Sequence, residues 1–147
     1  MDEVIVRIVS ANPDISIPKH MSAGAAGMDL AADLDEPVSI SPGQVALIGT
    51  GIRIAIPDGF EAQVRPRSGL AMKHRIGILN SPGTIDSDYR GEIGVLLINF
   101  GDSPYVVARG ERIAQLVVAA VPKVKIEVTD SLDDTDRGSG GFGHTGR

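Results

Sequence analysis

Residues 52–56 read IRIAI, isoleucine at every second position with Arg53 and Ala55 between. That period-two pattern predicts a strand with one buried face. Further β-branched runs occupy Val4–Val9, Val45–Ile48, Gly59–Val64, Ile93–Phe100, Ile113–Val121 and Val124–Val128. Turn-forming clusters separate them: Ser41-Pro42-Gly43, Pro57-Asp58-Gly59, Ser81-Pro82-Gly83 and Gly101-Asp102-Ser103-Pro104. Many short strands punctuated in this way predict an all-β sandwich, barrel or jelly roll. One short helix is expected at Ser68–His74, with Ser68 at the N-cap. The run Ile113–Val121 is apolar on both faces apart from Gln115. Such a strand lies either inside one sandwich or against a second subunit, and the scarcity of aromatic residues favours the second.

Composition narrows the picture. The chain has 147 residues, room for one domain with a sizeable core. No apolar run approaches the ~20 residues that span a bilayer, and the acidic start MDEVIVRIVS does not read as a signal peptide. Cysteine is absent, which removes disulfides and thiolate chemistry and fits a cytoplasmic protein. A net charge of −5 argues against a general nucleic-acid binder but leaves room for one phosphorylated ligand held by a few arginines. Residues 129–147 are rich in Asp, Ser, Thr and Gly and poor in core-forming side chains. The expected organisation is therefore a β body over 1–128 and a flexible arm over 129–147. Phe142 is the anomaly there, a large ring among glycines.

Several segments carry candidate chemistry. In NSPGTIDSDYRGE (80–92), Asp86 and Asp88 alternate on an extended loop and can share a side, where a carboxylate can orient a water and accept its proton. Turn-capping acids are the plainer explanation, weakened by the ring of Tyr89. In RPRSGLAMKH (65–74), Arg67, Ser68 and Gly69 offer a guanidinium, a hydroxyl and an open backbone N–H at a helix start. That is either an anion cradle or ordinary helix capping. Gln115 is a lone polar group within an apolar strand, and Asp29 a lone acid in AAGMDLAA (25–32). His20 and His74 show no spacing that supports a protein-ligated metal.

Taken in order, AGMDL, RPRSGLA, the 80–92 segment, GERIAQL and RGSGGFG resemble the five motifs of the homotrimeric deoxyuridine triphosphatases (dUTPases), from about Ile17 to Phe142. The resemblance implies a jelly-roll subunit, assembly as a homotrimer, and hydrolysis of dUTP to dUMP and pyrophosphate. It implies that Asp86 activates the attacking water and that Gln115 stands near it and the α-phosphate. Arg67, Ser68 and Gly69 match the phosphate-binding trio. Asp29 matches an acid that reaches Mg²⁺ through water, the metal being held mainly by the triphosphate. Asn80, Gly83, Thr84, Ile85 and the backbone at Gly94 match the uracil and sugar pocket. Tyr89 matches the ring against the deoxyribose. Position 94 often carries a larger side chain in relatives, a harmless departure if the backbone makes the contact. Asp88 and Arg90 are expected to scaffold the loop.

For the arm, the resemblance implies that Arg137 meets the γ-phosphate, the glycines including Gly143 wrap the phosphates, and Phe142 stacks on uracil, closing a site of a neighbouring subunit. Two alternatives stand beside this reading: a non-catalytic β trimer, and the related dCTP deaminases, which share the subunit fold. Ser87-Asp88-Tyr89 and the phenylalanine-bearing arm favour the triphosphatase.

Overall fold

The computed structural model describes residues 3–146. Met1 and Asp2, at the start of the expected body, and Arg147, at the end of the expected arm, lie outside them. Eleven strands and one helix follow in order: β1 (Arg7–Ser10), β2 (Met28–Ala31), β3 (Val38–Ile40), β4 (Val45–Gly49), β5 (Ile52–Ala55), β6 (Phe60–Arg65), α1 (Ser68–His74), β7 (Ile76–Ile78), β8 (Gly83–Ile85), β9 (Gly94–Asn99), β10 (Tyr105–Val107) and β11 (Arg112–Ala120). They form sheets β1-β5, β3-β10, β2-β11-β6-β8 and β4-β9-β7, every pair antiparallel. Among the described residues no strand pairs with its successor, so chain crossovers build every sheet. The all-β, jelly-roll-like expectation is met.

Ile52 and Ile54 are buried and Arg53 exposed, as the alternation requires. Their inward faces join Leu30, Ile40, Ile48, Ile93, Val95, Leu97, Ile113 and Leu116 in one continuous core. Asn99 is buried within it without penalty: its amide donates to the carbonyls of Ile40 and Ser103 at 2.9 and 2.8 Å, and its oxygen accepts from Gly101 N–H at 2.8 Å.

The structure corrects four expectations. The first strand begins at Arg7 rather than Val4, because β5 offers partners only for residues 7–10. Residues 124–128 form no strand. Val124, Ile126 and Val128 are 73%, 81% and 97% exposed, and no other segment of the described chain pairs with them. Ser68 is the first helical residue, and Arg67 holds the N-cap position without a side-chain capping bond. Finally, β11 runs between β2 and β6 with Ile113, Ala114, Leu116 and Val117 buried inside one chain, so its two apolar faces need no second subunit.

Candidate active site

The four-stranded sheet assembles the first part of the site. Gln115 on β11 stands opposite Asp29 on β2 and Arg65 on β6, so one rank across three strands carries an acid, an amide and the approach to Arg67. Chain direction does the rest. β6 ends at Arg65, and the turn through Pro66 brings Arg67 back over the same rank. There Arg67 Nε meets Asp29 Oδ1 at 3.1 Å and Arg67 Nη1 donates to Arg112 O at 3.0 Å. Gln115 Nε2 donates to Pro66 O at 2.9 Å, which holds the amide and leaves its oxygen free to accept. Gly27 completes the fit: a Cβ there would collide with Gln115 Oε1.

Arg112 is a member the motif reading passed over. Its Nη1 lies 3.4 Å from Asp29 Oδ2, so the carboxylate sits between two guanidinia. One acid flanked by two arginines leaves net positive charge, suited to an anion. Glu111 shapes the turn ahead of Arg112: its carboxylate accepts from Ala108 N–H at 3.0 Å and from the Tyr105 hydroxyl. Burial, then the bond to Glu111, pushes the Tyr105 phenol well above its ordinary value of 10.0. A side chain that reads as an ordinary surface arginine at a strand start gave no signal except its place three residues before Gln115.

Ser68 and Gly69 open α1 directly after Arg67, both exposed. A Cβ at Gly69 would meet nothing within 4 Å, so no neighbouring side chain crowds this first turn of the helix at that position. Leu70, buried, anchors the helix to the core, and Arg75 at φ 56° ends it.

The second part of the site is the hairpin after β7. Leu79 N–H donates to Leu96 O at 2.9 Å, prolonging the β7-β9 register and carrying Asn80 towards the start of β9, where Gly94 stands exposed. The chain then crosses into β8 through a cis Ser81–Pro82 bond. Gly83 and Ile85 are buried and Thr84 is exposed. At Gly83 a Cβ would lie 3.4 Å from both Asn80 Nδ2 and Val64 Cβ, so the hairpin packs tightly on β6. At Gly94 it would press on Leu47 Cδ1 at 2.8 Å, an exposed and movable tip, so a larger residue is sterically possible there. Tyr89 folds back over Gly91 and donates to Glu92 O at 2.9 Å. Arg90 donates to the carbonyls of Ser87 and Tyr89 at 2.7 and 2.9 Å, closing the loop on itself.

Asp86 is not with the arginines. It is exposed and, with Ser87 and Asp88, lines a depression of about 580 Å³ bounded by Asp58, Phe60, Glu61 and Lys123. Register places it beside Glu61, whereas Gln115 sits beside Arg65. Strand rise and strand spacing make the backbone separation roughly 16 Å, too far for both side chains to touch one water. The arm is separate again. Arg137 Nε donates to Gly140 O at 2.8 Å within a local turn, Gly143 has φ 81°, and Phe142 at φ 50° is fully exposed.

A family model described as dUTPase matches residues 13–146. The Staphylococcus bacteriophage 80alpha dUTPase solved with dUPNHPP superposes with a TM-score of 0.88 at 23% identity, covering 97% of this chain and 99% of that one. A dUTPase mutant from phage phi11 of S. aureus, described for the coordination of a structural Mg(II) ion, gives 0.79 at 20% identity over 88% and 99% of the two chains. These likenesses are of fold. The family match spans nearly the whole chain and with it all five ordered motifs, and on that ground the chain belongs to the dUTPase family.

Proposed function

We propose that this chain, a dUTP diphosphatase by family, hydrolyses dUTP at a site shared between copies of itself, with the roles that follow. Asp86 takes the proton of the water that attacks the α-phosphorus, and pyrophosphate leaves. Gln115, its amide N–H spent on Pro66 O, presents its oxygen towards that water. Arg67 and Arg112 neutralise phosphate charge, while Ser68 Oγ and the N–H of Gly69 donate to phosphate oxygens. Positioned donors of this kind act where charge develops, so no covalent intermediate is needed. Asn80, Gly83, Thr84, Ile85 and the Gly94 backbone read uracil, and Tyr89 packs on the deoxyribose and blocks a 2′-hydroxyl.

The donor set fits a metal that arrives with the substrate. Among the described residues no three acids or histidines converge, and Asp29 is the one carboxylate at the arginine cluster. Asp29 would hold Mg²⁺ through water, a cation that prefers phosphate oxygens and keeps its own waters. When bound, it supplies further neutralisation of the triphosphate.

The separation of Asp86 from Gln115 carries the shared-site reading. A general base acts within hydrogen-bond reach or through one water, so the Asp86 that serves one copy's Gln115 belongs to another copy. A homotrimer satisfies this with three equivalent sites. Residues 1–128 form its body in the cytoplasm, and 129–147 an arm whose Arg137, Phe142 and Gly143 close a neighbour's site. Purified protein with Mg²⁺ is expected to release pyrophosphate from dUTP and far less from dTTP, dCTP or UTP. Equal turnover of all four would overturn the specificity.

A further inference from the structure

The outer face of the β1-β5 ribbon holds an arrangement that the active site does not use. Arg7 stands opposite Ala55 and Val9 opposite Arg53, so two arginines and the 56%-exposed Val9 share one surface. Arg90 reaches the same place from the loop after Asp86, and Arg7, Val9, Arg53, Ile54, Ala55 and Arg90 line a groove of about 180 Å³. Among the described residues none of the three arginines has a carboxylate within 4 Å. Arg90 bonds only carbonyls, which fix its position and leave its charge uncompensated. Three arginines around one groove, on a chain of net charge −5, form a local receptor for anions with an apolar floor.

The chain carries the complement. Asp130, Asp133, Asp134 and Asp136 surround Leu132, which is 88% exposed. Among the described residues none of these four acids is in a salt bridge, and residues 129–139 are exposed throughout, standing off their own body. We infer that the Arg7/Arg53/Arg90 groove is a mooring site for the Asp130–Asp136 segment of a second copy's arm, with Leu132 seated on Val9 and the aspartates on the arginines. The groove shares Arg90 with the loop that carries Asp86. Mooring therefore delivers the following residues, Arg137 to Gly143, to that loop at high effective concentration. The inference rests on the reading that the arm acts on a neighbouring subunit.

Charge reversal on each side tests it in the full-length protein. Arg7→Asp/Arg53→Asp and, separately, Asp133→Arg/Asp134→Arg are expected to raise KM for dUTP about five- to tenfold with kcat little changed. Raising salt to several tenths molar should erase the difference from wild type by screening the pairs, and combining the two reversals should restore KM. The arm substitutions lie outside the packed body, so they remain informative even if the groove variant folds poorly. A chain ending at Asp136 separates the two levels. If truncation cripples hydrolysis while the arm reversal leaves KM unchanged, the mooring site is wrong and the closing arm stands. If truncation changes nothing, the arm reading itself fails. Should the groove variant alter only inhibition by inorganic phosphate, the groove takes free anions and the proposal is overturned.

Discussion

The amide of Gln115 is held by two features that no side-chain substitution at 115 itself would reveal: the carbonyl of Pro66 and the missing Cβ of Gly27. On the role proposed for Gln115, Gly27→Ala is expected to lower kcat about tenfold or more, since a small misplacement near the reacting atoms is costly, while thermal unfolding moves little. A wild-type kcat would show that the amide tolerates displacement. Tyr105 provides a second check. Its phenol is raised above 10.0 by burial and by Glu111. A raised folded value means stabilisation that is complete below pH 10.0 and lost as pH climbs towards the folded value. Tyr105→Phe should lower stability at neutral pH and flatten the alkaline limb of its pH dependence; an unchanged limb would show that another group titrates there. At this scale the sequence was legible where a polar residue broke an apolar run, as at Gln115 and Asp29. Arg112 was not, because an arginine at a strand start looks like any solvated side chain until the bulge between Arg112 and Ala114 turns it towards Asp29.

At the level of elements, periodicity found the long strands and missed the short ones. Three residues at Val38–Ile40, Ile76–Ile78, Gly83–Ile85 and Tyr105–Val107 are too few to display an alternation, and distant partners define them. The opposite error occurred at 124–128, where alternation reports which side chains share a face but supplies no partner strand. Within one chain, replacing an exposed residue costs little. Ile126→Asp is accordingly expected to leave the secondary structure of the body intact and to shift the proposed homotrimer towards smaller species in sedimentation at micromolar protein. An unaltered oligomer would mean that this segment is solvent-facing in the assembly as well. The helix was well placed, since Leu70 alone faces inward and Arg75 ends it, but its first turn depends on Arg67 being drawn away to Asp29 rather than on a capping side chain.

For the whole molecule, the chief consequence is that the two halves of the proposed site face different places. Crossover connections bring Asp29, Arg67, Arg112 and Gln115 into one cluster from positions scattered over 87 residues, while the same topology leaves Asp86 at the other end of β6. Motif order in the sequence could not reveal that division, because order along a chain says nothing about which copy completes a site. Mixed oligomers do. Asp86→Asn and Arg67→Ala chains, each expected to retain no more than about a hundredth of normal turnover alone, should be unfolded together, refolded and assayed for pyrophosphate release from dUTP. A site shared between copies predicts recovery to about a quarter of wild-type turnover on random mixing, because one pairing in four brings an intact Asp86 to an intact Arg67. Activity no greater than the sum of the two parents would contradict the shared site.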